Sequence, residues 1–317
     1  MNIYLVNTPF QLYNSLNFSE ELGKNNLNVL LLLCRNEKNL HQVRNSLALT
    51  KRFRFVINLS FLMFKPTNIG DEITKKIGFF FCKLIFFMCS ITSNIIIGDA
   101  HYSKMIRLVQ GSIPKEIILL DDGFLTLTYD TAKIAYALKV SLKKITLFTV
   151  FKYNLGHVKV LNNSNLFFKT HYSPESLERN PYFVGQPVVE LGLISCQAYI
   201  DILDKCLHIS ESSKLTYICH RGESESKLKT LKDSFGECVT FVNLQYSIEF
   251  ALLDSFKNSI VWFGLYSTAL FWVKSVFEEN VTVIAVDVTN DVRDEKLKAT
   301  LKEIYREMVK IDISIIK

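Results

Sequence analysis

Short apolar runs alternate with longer amphipathic segments along almost the whole chain of 317 residues. In the first part of the chain, the apolar runs span residues 3–6, 29–33, 55–59, 94–97 and 117–120. Continuous runs of this length, rich in Ile, Val and Leu, are typical of strands that are buried on both faces of a parallel sheet. Segments of helical length lie between them, at 12–22, 40–49 and 74–91. The alternation predicts right-handed βαβ units and a parallel sheet covered by helices on both faces.

The same alternation restarts in the second part of the chain. Strands are predicted at 215–219, 238–242, 259–263 and 281–285, and helices at 248–256 and 269–277. Gly185 and Pro187 interrupt the pattern between the two sets. We therefore expect an α/β protein with domains of residues 1–185 and 186–317. Two Rossmann-like domains should face each other across a central cleft, with the last helix, within 296–317, packing back across both, and ligands should lie at the carboxyl ends of the strands.

The composition is that of a globular protein, because 49% of the residues are apolar and 21% are charged. The net charge of +6 suits an acidic substrate or an anionic membrane surface. Since Lys and Arg are spread along the chain, we expect no nucleic-acid partner. The seven Cys residues show no metal-ligand spacing, which favours buried, reduced thiols in a cytosolic protein. The sequence motifs of dehydrogenases, P-loop proteins, zinc peptidases and α/β-hydrolases do not occur.

The N-terminus and one apolar segment bear on membrane association. The first seven residues lack a basic region and Pro9 interrupts the apolar run, so no signal peptide is predicted. The most hydrophobic segment, 77–88, contains Lys83 and is shorter than the roughly 20 residues that a membrane-spanning helix needs. We expect this segment to be a core helix or to contact a membrane surface.

Two adjacent carboxylates follow the strand predicted at 117–120. Asp121 and Asp122 precede Gly123, a position at which a general base could act on a ligand. Asp before Gly is equally typical of turns and of helix N-termini. A carboxylate pair can also bind a metal ion, but no further acidic motif nearby completes such a site. The residues by themselves leave the catalytic and the turn interpretations open.

Other polar residues follow the first and the fourth predicted strands. Thr8 and Gln11 lie at the start of the first helix, where Pro9 also has a purely structural explanation. Asp99 and His101 follow the strand at 94–97. These four residues are candidates for binding an acceptor molecule, although a His residue in a loop is more often simply solvated.

In the second domain, His220, Arg221 and Gly222 follow the strand predicted at 215–219. An imidazole beside a guanidinium, followed by a Gly that lets the backbone approach closely, suits phosphate recognition. A surface turn of charged residues is the alternative interpretation.

Three more residues of the second domain lie near predicted helix starts. Ser267 and Thr268 open the helix at 269–277, where hydroxyls and free N–H groups could bind an anion or simply cap the helix. Glu249 lies near the start of the helix at 248–256. Its carboxylate could accept hydrogen bonds from ribose hydroxyls, or could only interact with the helix dipole.

The order of these residues resembles that in the bacterial GT-B sialyltransferases, which act on lipooligosaccharide, O-antigen and capsule glycans. Those families share an acidic pair before Gly, a later His-Pro dipeptide and a Ser-Ser or Ser-Thr pair. The corresponding residues are Asp121-Asp122-Gly123, His220-Arg221 and Ser267-Thr268, with Thr8-Pro9-Phe10-Gln11 at the start and Glu249 at the ribose position. Arg221 departs from the pattern by replacing Pro. The O-antigen α2,3-sialyltransferases are the branch that the chain resembles most.

The resemblance implies an inverting, metal-independent enzyme that moves N-acetylneuraminic acid from CMP-sialic acid to a terminal galactose. Asp122 would be the general base, assisted by Asp121, and we expect its carboxylate to be ionised at pH 7 with an ordinary pKa near 3.9. His220, Ser267 and Thr268 would bind the leaving phosphate. Arg221, Gly222 and Glu249 would complete the donor site, and Thr8, Gln11, Asp99 and His101 the acceptor site.

CMP-sialic acid would be a co-substrate, so that no cofactor is expected. A lipid-linked acceptor would place the protein in the bacterial cytoplasm, peripheral on the inner face of the cytoplasmic membrane. Two alternatives stay open. One is a GT-B glycosyltransferase with another donor, such as CMP-Kdo or a UDP-sugar, and the other is a non-catalytic relative that binds glycans or nucleotides.

Overall fold

The structure is a computed structural model that describes residues 1–152, 157–172, 180–254 and 258–317. The chain divides into two compact units, Met1–Tyr172 and Ser173–Lys317. Each unit is built around its own sheet, and the strands pair in parallel in both. The predicted α/β class, with two Rossmann-like domains, is confirmed.

The first unit contains a seven-stranded sheet. Its strands are β1 (Asn2–Val6), β2 (Asn28–Leu32), β3 (Phe55–Asn58), β4 (Asn94–Ile97), β5 (Glu116–Leu120), β6 (Ile145–Thr149) and β7 (Lys159–Asn162). They lie in the order β3-β2-β1-β4-β5-β6-β7. The chain winds outward in one direction from β1 and then in the other from β4. The gap between the ends of β1 and β4 is therefore the topological switch point, where sheets of this kind bind ligands.

The helices of the first unit connect these strands. They are α1 (Pro9–Glu21), α2 (Glu37–Ala48), α3 (Ile69–Ser90), α4 (Ser103–Val109), α5 (Thr131–Leu138) and α6 (Leu166–His171). Several begin at a side chain that accepts a hydrogen bond from the first turn, among them Thr8, Asn36, Asn68 and Asp130. Such caps satisfy N–H groups that have no partner within the helix, which explains why α1 begins earlier than its apolar periodicity predicts.

The second unit contains a six-stranded sheet in the order β10-β9-β8-β11-β12-β13. Its strands are β8 (Tyr182–Val184), β9 (Leu215–Ile218), β10 (Val239–Val242), β11 (Val261–Gly264), β12 (Thr282–Val286) and β13 (Ser314–Ile316). Its helices are α7 (Cys196–Ile209), α8 (Glu225–Phe235), α9 (Ile248–Asp254), α10 (Thr268–Phe277) and α11 (Glu295–Lys310). This is the strand order of dinucleotide-binding Rossmann domains, with its switch point between β8 and β11.

The predicted domain boundary at residues 185/186 is wrong. The units divide between Tyr172 and Ser173, because β8 pairs with both β9 and β11 and is therefore a central strand of the second sheet. With only three residues, β8 is too short to give an apolar run that stands out from its surroundings.

The C-terminal segment is only partly helical. Helix α11 ends at Lys310, and Ser314–Ile316 then forms β13, which pairs with β12. The hydroxyl of Tyr305 in α11 donates a hydrogen bond of 2.9 Å to the carbonyl of Val286 in β12. The last helix thus packs on the sheet of its own unit. The edge strand β13, which was not predicted, contains Ile315 and Ile316.

Fewer cysteines are buried than expected, and of the two alternatives for the apolar segment, a core helix or contact with a membrane surface, the core helix is not observed. All seven cysteines are free, but only Cys34 and Cys206 are buried, and Cys89 and Cys238 are exposed. Segment 77–88 lies within α3, and most of its large apolar side chains face the solvent rather than a core. Among the described residues, no helix combines the length and the apolar character needed to cross a membrane.

Candidate functional site

In the first unit, the candidate residues lie at one end of the sheet. Strand β4 pairs in parallel with β1 on one side and with β5 on the other, so the loops that follow these three strands are neighbours. The loops carry Thr8, Asp99 and the pair Asp121 and Asp122. The predicted residues are therefore brought together at the carboxyl edge, at the switch point of the sheet.

Gln11 links the first helix to the acidic pair. Its side chain is buried, with Nε2 donating a hydrogen bond of 2.8 Å to Oδ1 of Asp122 and Oε1 accepting one of 2.8 Å from the N–H of Asn7. Gly98 leaves room for this side chain, because a Cβ there would lie 2.8 Å from Cβ and Oε1 of Gln11. Thr8 caps α1 by accepting a 3.3 Å hydrogen bond from the N–H of Gln11. Gln11 thus positions Asp122 directly, and Thr8 contributes by fixing the first turn of α1.

The two adjacent carboxylates have different surroundings. Asp121 is buried, and its Oδ2 accepts a hydrogen bond of 2.8 Å from the N–H of Val150. Asp122 is half-buried beside Gln11. Gly123 follows with a φ of +67°, a left-handed conformation that favours glycine. This turn directs the chain away from the sheet directly after the two carboxylates.

Both carboxyl groups titrate far from their ordinary range. Burial raises the pKa of Asp121 to about 7. Burial and the charge of Asp99 raise the pKa of Asp122 to about 7, against the opposing effects of the Gln11 hydrogen bond and the Arg35 charge. The expectation of an ordinary pKa for Asp122 is therefore wrong. A carboxyl group that titrates near neutral pH has the proton affinity that a general base needs.

Asp99 is held by the protein itself. Its Oδ2 lies 2.5 Å from Nη2 of Arg35, and its Oδ1 accepts a hydrogen bond of 2.9 Å from the N–H of His101. The guanidinium of Arg35 also lies 4.1 Å from the centre of the Tyr102 ring. With both oxygens engaged, Asp99 acts on Asp122 through its negative charge.

The side chain of His101 contacts Thr128 and Tyr129. Its Nε2 lies 3.2 Å from Oγ1 of Thr128, and its ring packs edge-on against Tyr129 with 5.1 Å between the centroids. It borders a pocket of about 610 Å³ between α4 and α5, to which Arg107 and Lys133 contribute. An imidazole and two cations around an open pocket suit a ligand with hydroxyl and anionic groups.

Two residues of this site escaped sequence reasoning. Arg35 follows β2, so the same strand-end rule that selected Asp99 could have found it. Tyr129 follows a short 3-10 helix, and no local pattern distinguishes it. Burial, together with the nearby charge of Asp122, raises the pKa of Tyr129 well above its usual range. Its hydroxyl therefore stays protonated as a hydrogen-bond donor close to Asp122.

In the second unit, the loop after β9 holds His220 with a neutral imidazole ring. The N–H of Gly222 donates a hydrogen bond of 3.0 Å to Nδ1 of His220. Desolvation of the ring and the positive charges of Arg221 and Lys227 lower the pKa of His220 to about 4. The ring is therefore neutral at pH 7, and since Nδ1 is an acceptor, we assign the proton to Nε2. The Nε2 of His220 can then donate one hydrogen bond to a phosphate oxygen.

A buried ion pair fixes the conformation of this loop. Glu223 accepts hydrogen bonds from the N–H of His220 at 2.6 Å, from Nζ of Lys227 at 2.6 Å and from the hydroxyl of Tyr217. Nζ of Lys227 also donates to the carbonyl of Gln186 at 2.8 Å. Glu223 and Lys227 were not predicted as site residues, because their pairing through a helix turn is not distinguishable from a common surface i, i+4 pair.

Glu249 in α9 is buried, and its Oε2 has no hydrogen-bond partner among the described residues. Burial raises the pKa of Glu249, and the positive charge of Arg221 opposes this shift. The structure therefore brings Arg221 and Glu249 within electrostatic reach of each other, although β9 and α9 are separated in sequence. A buried carboxylate oxygen without a partner is costly unless a ligand supplies a donor.

Ser267 and Thr268 lie at the start of α10, after β11. The Ser267 side chain caps the helix by accepting a hydrogen bond of 3.2 Å from the N–H of Ala269. Strand β8 separates β9 from β11 in the sheet, so the His220 loop and the Ser267 loop follow strands that are not direct neighbours. Both loops leave the same carboxyl edge of this parallel sheet. In the described ranges, no group of three or more His, Cys, Asp and Glu side chains could hold a metal ion.

Comparisons with known proteins agree on the fold. No protein-family model matches the sequence, and no curated protein matches it either. A structure named as a UDP-N-acetylglucosamine 2-epimerase from Listeria monocytogenes has a TM-score of 0.57 at 11% identity, covering 98% of this chain and 90% of its own. The UDP-GlcNAc 2-epimerase from Methanocaldococcus jannaschii has a TM-score of 0.52 at 9% identity, covering 96% of this chain and 92% of its own. At these identities the likeness shows the fold, which is of the GT-B type.

Proposed function

We propose that this protein is an inverting sialyltransferase that moves N-acetylneuraminic acid from CMP-sialic acid to a terminal galactose of a bacterial surface glycan, such as an O-antigen, lipooligosaccharide or capsule precursor. The observation that carries the proposal is Asp122. It is a carboxyl group with a pKa of about 7, held by Gln11 at the ligand-binding edge of the first sheet. Asp121 beside it, whose pKa burial also raises to about 7, would assist.

In the proposed reaction, the carboxylate of Asp122 takes the proton from the acceptor hydroxyl. The hydroxyl oxygen forms a bond to the anomeric carbon of the sialic acid, while the bond from that carbon to the phosphate oxygen breaks and CMP leaves. The base must be ionised, so the reaction should accelerate as the pH rises through about 7.

The second unit would bind the donor. His220 would donate from Nε2 to the phosphate, and Arg221, Gly222, Ser267 and Thr268 would add a positive charge, backbone N–H groups and hydroxyls. Neutral donors and one guanidinium suffice for a monophosphate, so the proposed mechanism uses no metal ion and no cofactor.

Glu249 would accept hydrogen bonds from the ribose hydroxyls, which would satisfy its unpaired Oε2. In the first unit, the acceptor would lie near Asp122, with Tyr129 as an additional hydroxyl donor and with Thr8, Gln11, Asp99 and His101 shaping the site. A lipid-linked acceptor would place this reaction at the cytoplasmic face of the inner membrane.

A donor screen tests the proposal. The protein is incubated with a simple β-galactoside and, separately, CMP-sialic acid, CMP-Kdo and UDP-N-acetylglucosamine, and the release of the nucleotide and the glycoside product are measured. We expect CMP release that depends on the galactoside, and a sialylated product, only with CMP-sialic acid. Transfer from another donor would replace the proposal with a different GT-B glycosyltransferase. No transfer from any donor, combined with retained CMP binding, would favour a binding protein.

A further inference from the structure

Helix α3 exposes an apolar face to the solvent. Eight of its large apolar residues are more than half exposed: Ile69, Ile73, Ile77, Phe80, Phe81, Leu84, Ile85 and Met88. At 100° per residue, these positions fall on one side of the helix, and the five charged residues of α3 fall outside that arc. Phe86 and Ser90 point inward on the opposite side, and both are buried. A normal surface helix packs its apolar face against the core, whereas α3 exposes its apolar face to the solvent.

The apolar surface continues beyond the helix to the edge of the sheet. A pocket of about 480 Å³ is lined by Cys82, Ile85 and Phe86 of α3 and by Phe55 and Ile57 of β3. Strand β3 is an edge strand, and Phe55 and Ile57 are 51% and 47% exposed. We call this continuous region, formed by the exposed face of α3 and by β3, the α3–β3 surface.

A surface of this kind needs a partner. Contiguous apolar patches of more than a few hundred Å² are rare on proteins that stay monomeric in water, and they mark contacts with proteins or membranes. Among the described residues, no helix is long and apolar enough to cross a bilayer. An exposed apolar face on a surface helix suits contact with a membrane surface or with another chain.

The distribution of charge distinguishes these two partners. Residues 1–172 contain 21 Lys and Arg against 10 Asp and Glu, a net charge of +11, whereas residues 173–317 contain 16 against 21, a net charge of −5. The positive charge is thus concentrated in the unit that carries the apolar surface. A second copy docked on this surface through the same unit would bring like charges together, whereas an anionic bilayer would attract it.

Cationic side chains lie directly beside the apolar residues. Lys83 and Lys139 line a groove of about 410 Å³ together with Phe80, Leu84 and Phe87. Near β3, the guanidinium carbon of Arg54 lies 6.0 Å from the centre of the Phe55 ring. Basic groups that border an apolar helix face are the arrangement by which interfacial helices bind acidic lipid headgroups while their apolar side chains enter the acyl boundary.

We propose that the α3–β3 surface docks the first unit on an anionic lipid bilayer. Helix α3 lies in the plane of the interface with its apolar face toward the acyl chains, and Lys83, Lys139 and Arg54 contact lipid phosphates. This docking is independent of the proposed sugar transfer, since none of its residues belongs to the candidate site.

The experiment is co-sedimentation of the full-length protein with vesicles in the absence of any sugar donor. Vesicles of phosphatidylcholine alone are compared with vesicles that also contain phosphatidylglycerol, at low and at high salt. We expect binding to the anionic vesicles that weakens as salt increases, because salt screens the attraction of the lysines for the headgroups. Absence of binding to anionic vesicles at low salt would overturn the proposal.

Two double variants locate the binding surface. Phe80→Ser with Leu84→Ser should raise the apparent Kd for anionic vesicles at least about tenfold, since both side chains lose their apolar contact with the bilayer. The matched control is Leu191→Ser with Ile209→Ser, which changes two exposed apolar residues of the second unit and should leave binding unchanged. All four positions are exposed, so the melting temperatures should stay close to that of the wild type.

Charge is tested in the same way. Lys83→Gln with Lys139→Gln should weaken vesicle binding and reduce its salt dependence, whereas Lys214→Gln with Lys229→Gln in the second unit should not. Sedimentation velocity without lipid tests whether this surface instead forms a contact between two copies of the protein. A dimer that the Phe80 and Leu84 substitutions convert to monomers, with no vesicle binding by the wild type, would make this surface a protein interface and contradict the proposal.

Discussion

Gln11 donates a hydrogen bond of 2.8 Å from Nε2 to Oδ1 of Asp122, although the two residues are separated by most of the first unit. The bond joins the first turn of α1 to the end of β5, across the switch point of the sheet. It exists because Gly98 at the end of β4 leaves space for the buried amide. Residues at the ends of three neighbouring strands, β1, β4 and β5, therefore hold the carboxylate of Asp122 in place.

Replacing Gln11 should move the pH dependence of activity. The Gln11 hydrogen bond lowers the pKa of Asp122 against burial and the Asp99 charge, so Gln11→Leu should raise it further. The base is active when ionised, so the rise of kcat/KM with pH should shift to higher pH, and activity at pH 7 should fall several-fold while much of it returns at high pH. Gln197→Leu, at an exposed glutamine of α7, is the control. An unchanged profile, or one shifted to lower pH, would contradict this role.

Gly98→Ala should damage the same contact by steric means. The new Cβ would lie 2.8 Å from Gln11, so the buried amide would have to move away from Asp122. Overpacking of this kind costs about 1–3 kcal/mol, and we expect a lower melting temperature together with lower activity. Gln11→Gly removes both the Cβ and the amide that the new methyl group would meet. Gly98→Ala should therefore destabilise the Gln11→Gly variant less than it destabilises the wild type, without restoring the activity. If Gly98→Ala lowered the melting temperature equally in both backgrounds, the clash would lie elsewhere.

His220 should bind the donor as a neutral group. Because its pKa is about 4, the KM for CMP-sialic acid should stay constant between about pH 5.5 and 7.5. The donor phosphate is a diester and does not titrate in this range, so initial-rate measurements report on the protein. A KM that rises steeply as the pH passes 6.5 would show that an imidazolium binds the phosphate. His220→Ala should raise this KM about tenfold, and His208→Ala, at an exposed helix position, should not.

Glu249 should distinguish nucleotides by their ribose hydroxyls. Calorimetry with CMP and with its 2′,3′-dideoxy analogue should show tighter binding of CMP to the wild type, by about tenfold or more. Glu249→Gln should weaken CMP binding and remove most of the difference between the two ligands, because the amide accepts hydrogen bonds less strongly than the carboxylate. Equal binding of both ligands by the wild type would remove Glu249 from the ribose site.

Much of this site follows from a single rule applied to the sequence. Asp99, Asp121 and His220 were predicted because they follow apolar runs that are typical of buried strands, and parallel strands end at one edge of a sheet. The rule cannot supply the pairing of Gln11 with Asp122, since that depends on the order of strands in the sheet. The raised pKa of Asp122 also depends on tertiary burial and on the charge of Asp99.

The predictions that were wrong share a physical cause. Strands β8 and β13 have three residues each, too few to show an apolar period, and both are recognised only through the neighbours with which they pair. The domain boundary was consequently placed after β8. The apolar character of α3, in contrast, is evident from the sequence. Whether its apolar face packs on a core or faces the solvent is not, because periodicity locates an apolar face without showing what lies against it.

The most direct test of the central claim is the transfer of sialic acid from CMP-sialic acid to a β-galactoside by the wild type and by Asp122→Asn. We expect Asp122→Asn to lower kcat about 10²–10⁴-fold, with the KM for CMP-sialic acid nearly unchanged, because an amide cannot take the proton of the acceptor hydroxyl. Asp233→Asn, at an exposed position of α8, should behave as the wild type. Sialylated product formed by Asp122→Asn at the wild-type rate, or no product with the wild type, would contradict the account.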